Sequence, residues 1–250
     1  MFGPNHIKSI HSTQNPNFLE LKKLLTSKGI HRQNRFLLWG EKFVSEVLEN
    51  APESVAGLLT TAHHQSQNQT QIPQIELSNE LFKELDIFGT RSPILVCKTP
   101  ELAEWKVLPP QGLELIVAMS EPANLGAVIR SSISFGVKKI ILLKESASPF
   151  HPKSVRASAG NILKIKYELG PSIKDLDCKE ALLALDMKGE SLANFQWPKH
   201  TFLLVGEEGQ GIPAGLNIRK IHIPSEKNVE SLNAGIALSI AIYSYYLQNK

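Results

Sequence analysis

Apolar positions along the chain follow two different rhythms, with a break near residue 100. Over residues 17–27 they fall at Phe18, Leu21, Leu24 and Leu25, the spacing of one helix face. Residues 42–49 repeat that spacing with Phe43, Val44, Val47 and Leu48, and 79–85 also read as a helix. Short apolar runs at 35–39, 55–60 and 94–97 read as strands. Beyond residue 112 the alternation is cleaner. Strands are predicted at 113–118, 139–143, 165–168, 182–185, 201–205 and 220–223, and helices at 125–135, 153–161 and 231–248. Continuous apolar strands alternating with helices predict an α/β fold with a parallel sheet covered on both faces. Two stretches break the pattern. Residues 63–71 (HHQSQNQTQ) are polar and read as a surface loop. Residues 98–112 carry Pro100, Pro109 and Pro110 and read as a linker, which predicts domains at 1–105 and 106–250.

In a parallel sheet, ligands sit beyond the carboxyl ends of the strands, which singles out the loops after Ala118, Val205 and Ile223. The first, SEPANLGAVIR, holds Asn124 and Arg130. Asn124 stands where it could cap a helix or meet a ligand, and Arg130 is either a surface residue or a cation aimed at the site. The second, TFLLVGEEGQGIP, runs an apolar strand into Gly206, Gly209 and Gly211. It lacks both the GK[ST] ending and the G-x-G-x-x-G spacing of phosphate cradles. Glu207 and Glu208 would repel a phosphate, so the loop suits a neutral or cationic ligand. The third, IHIPSEKNVESLN, ends a strand at Pro224 and opens the last helix at Ser231 and Asn233, with Ser231 a candidate cap.

Composition narrows the class. The chain has 250 residues, 42% hydrophobic and 20% charged, enough to bury a core without staples. Its two cysteines, Cys97 and Cys178, lie far apart and form no CxxC pair. That argues against a disulfide framework or a cysteine zinc site. His63 and His64 have no further ligands at metal spacing, so no metal is expected. Met1–Ile10 lacks the apolar run of a secretory signal. The stretch 236–247 is too short to span a membrane and carries two serines and three tyrosines. A cytoplasmic location without membrane association is expected. The net charge of +3 permits a nucleic-acid partner. Lys22, Lys23, Lys28, Arg32, Arg35 and Lys42 cluster with few acids between them, either as a solvated surface or as phosphate contacts.

Taken together and in order, the three loops resemble the motifs of the SpoU (TrmH-like) family within the SPOUT superfamily. The matching residues are N-x-G-x-x-x-R (Asn124, Gly126, Arg130), G-x-E-G-x-G (Gly206, Glu208, Gly209, Gly211), and Ile223-Pro224 followed by Glu230, Ser231, Leu232 and Asn233. HPKSVRASAG (151–160) is similar to the family's link between motifs. Residues 22–35 and 36–48 resemble the L30e-like substrate-binding domain often fused ahead of such catalytic domains. Three departures touch substrate choice rather than the motif residues. They are Glu207 where Asn or Ser is frequent, Ala234-Gly235 where bulkier residues are common, and Trp39 before Gly40 where an acid is usual.

The resemblance implies a SPOUT domain with a trefoil knot behind an L30e-like domain. It also implies methyl transfer from S-adenosylmethionine to a ribose 2′-hydroxyl of ribosomal or transfer RNA. On this reading Gly206, Ile223, Leu232 and Asn233 bind the cofactor. Asn124, Arg130, Glu208, Ser231 and Asn233 serve catalysis. Lys22, Lys23, Arg32, Arg35, Lys153 and Arg156 hold RNA. A homodimer through the C-terminal domain is also implied, in keeping with the nearly all-round apolar final helix. The alternatives are a non-catalytic RNA- or ribosome-binding protein that keeps the fold, and a nucleotide-dependent oxidoreductase. The latter is disfavoured by the missing G-x-G-x-x-G.

Overall fold

The computed structural model describes residues 8–64, 72–177, 181–207, 209–226 and 231–250. They form two compact units. One comprises residues up to Pro100 together with Phe150–Arg156, and the other comprises Glu101–Pro149 and Ala157–Lys250.

The first unit is a five-stranded sheet in the order β1-β4-β3-β5-β2. Its strands are β1 (Lys8–Ile10), β2 (Arg35–Leu38), β3 (Val55–Thr60), β4 (Gln74–Leu77) and β5 (Ile94–Lys98). β5 runs antiparallel to β2 and β3, while β4 is parallel to β1 and β3. Helices α1 (Pro16–Lys23), α2 (Ser27–Gln33), α3 (Glu41–Asn50) and α4 (Asn79–Leu85) accompany it. Asn15, Thr26 and Ser78 cap α1, α2 and α4 through their side chains, as short polar residues do. Trp39 is a core residue: it is buried, donates Nε1–H to the Leu85 carbonyl (3.0 Å) and meets the Phe88 ring edge-on. Phe150 packs on Phe36 with ring centroids 5.2 Å apart.

The second unit is a seven-stranded, all-parallel sheet in the order β12-β10-β11-β7-β8-β9-β6. The strands are β6 (Ala103–Glu104), β7 (Leu113–Val117), β8 (Lys139–Leu142), β9 (Lys166–Leu169), β10 (Leu182–Ser191), β11 (Thr201–Val205) and β12 (Arg219–His222). β7 and β11, in the middle, are buried at every position, which is why they read as unbroken apolar runs. Ile116, Ala118, Ile141, Ala184, Phe202 and Leu204 form the core with Ile173 and Leu176. At the amino ends, buried Glu114 meets Lys139 at 2.8 Å, and Lys139 and Lys166 flank Glu168. This offsets the cost of burying those carboxylates.

Helix α5 (Pro122–Ser134) follows β7, and α7 (Ala234–Asn249) ends the chain; the short α6 (Pro152–Ala157) lies between them in sequence. α5 starts as proline-led helices do, with Pro122 in its first turn, and Glu121, not Asn124, supplies the side-chain cap. α7 is capped by Asn233, whose Oδ1 accepts from the N–H groups of Gly235 (3.0 Å) and Ile236 (3.2 Å); Ser231 is not the cap. α5 and α7 pack together through small and polar residues. Ser131 and Ser239 share a hydrogen bond of 2.8 Å, and a Cβ on Gly235 would already lie 3.3 Å from the Asn124 carbonyl oxygen. Among the described residues no helix is long and apolar enough to cross a membrane.

Candidate active site

The carboxyl ends of β10, β11 and β12 open into one pocket of about 680 Å³, within the usual size range of small-molecule sites. Its walls come from four chain segments: Leu185–Lys188 after the first part of β10, Val205–Glu207 with Gly209–Ile212 after β11, His222–Ser225 after β12, and Ser231, Leu232, Ala234 and Ala237 leading into α7. Four of the expected residues, Gly206, Ile223, Ser231 and Leu232, therefore meet around one space. Glu208 lies outside the described residues.

Gly206 is buried and needs to be glycine. A Cβ there would fall on the backbone carbonyl of Gly211 and 2.9 Å from the Ile212 nitrogen. The loop closes on itself through Gly211 N–H donating to the Glu207 carbonyl at 2.8 Å.

Asn124 and Asn233 lie at an adjacent site. Asn233 Nδ2 donates to Asn124 Oδ1 at 3.1 Å, so the first and third motifs are joined directly. Neither lines the pocket. Both edge a shallow groove of about 530 Å³ between α5 and α7 with Gly235, Ile236, Ser239 and Tyr243. Asn233, expected to touch the cofactor, is thus occupied with Asn124 and with the α7 cap. Arg130 lines neither the pocket nor the groove. It is exposed, six residues beyond Asn124, which turns its side chain roughly 120° away around the helix. Its guanidinium has no ion pair among the described residues.

Sequence reading missed the wall formed by Asp186, Met187, Lys188 and His222. The strand expected at 182–185 does not end there: its register with β12 shifts between Leu185 and Glu190, and Asp186–Lys188 of that excursion line the pocket. Asp186 is ion-paired to Lys220 at 2.7 Å. Burial pushes its carboxyl up, but the Lys220 hydrogen bond and charge and the N–H groups of Lys188 and Met187 outweigh this and leave it below the ordinary carboxylate value.

The basic cluster divides in two. Lys22 is paired with Glu84 and Lys23 with Glu20. Lys28, His31 and Arg32 stand exposed along one side of α2, and none forms an ion pair among the described residues. Arg35 is half-buried. Lys153 and Arg156 belong to the first unit, where the Arg156 guanidinium lies over the Phe88 ring at 5.6 Å. Among the described residues no cluster of three His, Cys, Asp or Glu could hold a metal. His64 instead accepts from Thr61 N–H at 2.8 Å through Nδ1.

The parallel sheet thus carries a glycine-walled pocket at its carboxyl ends, beside an Asn–Asn clasp between α5 and α7. The chain belongs to the SpoU rRNA methylase family, whose profile matches residues 114–243. It is 37% identical over 95% of its length to the ribosomal RNA small subunit methyltransferase G 2 of Syntrophobacter fumaroxidans, of which it spans 49%. It is 27% identical to the 23S rRNA (guanosine(2553)-2′-O)-methyltransferase RlmP of Bacillus subtilis, covering 95% of this chain and 98% of that one. In fold it resembles the SpoU methyltransferase AviRb of Streptomyces viridochromogenes, solved with AdoMet (TM-score 0.81, 24% identity, 94% of this chain and 98% of that one).

Proposed function

We propose that this chain is an S-adenosylmethionine-dependent methyltransferase that acts on a ribose 2′-hydroxyl of ribosomal or transfer RNA. The convergence of Gly206, Ile223, Ser231 and Leu232 on one pocket, next to the Asn124–Asn233 clasp, carries this reading. The pocket suits the cofactor. The loop after β11 closes against Gly206 so tightly that a Cβ there would strike the Gly211 backbone, and Glu207 in that loop disfavours a phosphate.

When bound, S-adenosylmethionine supplies an electrophilic methyl group. The chain's own residues hold the reactants in line and manage the charge developing on a weakly acidic hydroxyl. Arg130 is the candidate for that charge. A guanidinium stays protonated, so it acts as a stabiliser of the oxygen or a grip on the neighbouring phosphate rather than as a base. Asn124, Ser231 and Asn233 orient the substrate, and Glu208 is a further catalytic candidate from the resemblance. The reading includes residues 1–105 as an L30e-like RNA-binding domain, 106–250 as the catalytic domain with its trefoil knot, and a cytoplasmic location. Incubating the purified chain with methyl-labelled cofactor and ribosomal or transfer RNA, then digesting to nucleosides, tests it. Label is expected in 2′-O-methylnucleosides. RNA binding with no transfer would leave the non-catalytic alternative.

A homodimer belongs to the same reading. Ile236, Ile240, Tyr243 and Leu247 are exposed at helical spacing on α7, a stripe that favours cover. Sedimentation should give the mass of two chains, and an Ile240→Lys variant the mass of one. A wild type sedimenting as a single chain would remove the dimer.

RNA is held by the basic residues Lys22, Lys23, Arg32, Arg35, Lys153 and Arg156. Ion pairs place Arg32 ahead of Lys22 and Lys23. Removing Lys28 and Arg32 together should weaken RNA binding and lower the salt slope by roughly two counterions, about 0.7–0.9 log units per phosphate contact. Removing Lys22 and Lys23, each paired to a carboxylate, should change the slope less. The opposite order would locate the RNA surface elsewhere.

A further inference from the structure

β10 pairs with β12 twice. Leu183–Leu185 lie beside Arg219–Ile221, and then Glu190 and Ser191 lie beside Ile221 and His222. Ile221 is thus shared, and residues 186–189 stand out of the ladder, with Asp186, Met187 and Lys188 in the pocket wall. The excursion is tied at each end. Asp186 pairs with Lys220 at 2.7 Å, and Glu190 takes a two-pronged hydrogen bond from Arg219. Gly189 has φ +149°, and a Cβ there would fall on the Lys220 carbonyl, so glycine alone lets the backbone return this close.

The remaining tie fixes a chemical state. His222 Nδ1 lies 3.0 Å from the Gly189 carbonyl oxygen. A carbonyl oxygen only accepts, so Nδ1 carries the proton, and in the neutral ring Nε2 is then an acceptor. Among the described residues Nε2 has no partner, and His222 is a half-buried part of the pocket wall. Of the pocket's described carboxylates, Asp186 is tightly paired with Lys220, while Glu207 meets Gln210 only at 3.5 Å and is a second acceptor. A nucleoside brings hydroxyl and amino donors that need acceptors when water is excluded.

We propose that His222 binds the cofactor directly, its Nε2 accepting a hydrogen bond from the nucleoside half of S-adenosylmethionine. This rests on the reading of the pocket as the cofactor site. It makes the bulge at 186–189 a device that sets the tautomer of a binding residue as well as a wall.

Three substitutions separate the two duties of the ring. Asparagine places a polar atom near the Nδ1 position and keeps the clip to Gly189 without the distal acceptor. Glutamine places its oxygen near the Nε2 position and keeps the acceptor without the clip. Alanine removes both. Calorimetry on the full chain with S-adenosylmethionine is expected to show His222→Ala and His222→Asn weakened roughly three- to ten-fold, the range of one neutral hydrogen bond. His222→Gln should stay within about two-fold of the wild type on the same scale. Nitrogen NMR of the wild-type ring should show Nδ1–H before cofactor is added and a shift at Nε2 afterwards. Cofactor analogues lacking the ribose hydroxyls or the amino group identify the donor: the one that lacks it should bind wild type and His222→Asn alike. Wild-type affinity in the Asn variant with loss in the Ala variant would reduce His222 to a clip and overturn the proposal. So would Nε2–H in the free protein, or a His222 dependence that survives in both analogues. If the Ala variant fails to fold, the Asn–Gln contrast decides. A wild-type chain that binds no S-adenosylmethionine would instead sink the reading of the pocket itself.

Discussion

Arg130→Ala is expected to bind S-adenosylmethionine like the wild type and to lose methyl transfer by two to three orders of magnitude. Removing one donor from a preorganised charge-stabilising site costs on the order of 10²–10³ in rate, about 2.7–4 kcal/mol. Two observations separate this loss from damage to the fold or the pocket. Arg130 is exposed and makes no ion pair among the described residues, so its removal leaves no orphaned partner, and stability should change by less than about 0.5 kcal/mol. It also lies outside the pocket lining, so cofactor affinity has no direct reason to fall. Arg130→Lys should recover part of the rate, since it restores the charge without the planar fork that can grip two oxygens. Calorimetry paired with single-turnover methyl transfer is the check. Near-normal turnover in Arg130→Ala would take the guanidinium out of the chemistry.

How far the sequence shows this arrangement depends on how each element is held. The central strands β7 and β11 are buried on both faces, and burial leaves an unbroken apolar run that any periodicity scan finds. α2 is hidden by its own packing. Gly29 sits in its first turn and lowers the apparent helix propensity, yet a Cβ at that position would collide with the Lys23 carbonyl, so the close turn from α1 requires it. β1 and β4 are three and four residues long and carry Ser9, Gln74 and Glu76, too little pattern to stand out. The pocket was legible where backbone demands specific residues, as at Gly206, and illegible where the chain leaves a ladder and returns. Nothing in the spacing of Asp186 and Gly189 says that Ile221 pairs on both sides of them. Caps were readable as a type but not as a position. Asn233 rather than Ser231 caps α7, and Glu121 rather than Asn124 caps α5. Asn124 accepts from Asn233, a contact across 109 residues that no local rule predicts. The basic cluster shows the same limit, because whether a lysine is available to a phosphate depends on carboxylates as distant in sequence as Glu84.

The second large effect is expected at Gly206. Gly206→Ala should weaken S-adenosylmethionine binding by at least about ten-fold, or 1.4 kcal/mol, while the sheet stays folded. The atoms a new Cβ would meet are the carbonyl group of Gly211 and the amide nitrogen of Ile212, all backbone, so no side chain can swing aside. The strain must go into the loop, at a cost of roughly 1–3 kcal/mol for overpacking. Relief comes from moving Gly211 outward, which breaks the 2.8 Å hydrogen bond from its N–H to the Glu207 carbonyl and reshapes the wall made by Gly209–Ile212. Gly209→Ala is the matched control. Gly209 has φ +86°, so alanine there is strained, but its Cβ would meet nothing within 4 Å. It should therefore lose stability, of order 1 kcal/mol, with a smaller loss of affinity. Thermal melts and calorimetry on both variants separate the two outcomes. Equal affinity losses would mean that loop strain alone governs binding. Wild-type affinity in Gly206→Ala would mean that the cofactor does not depend on the close approach of residues 206 and 211.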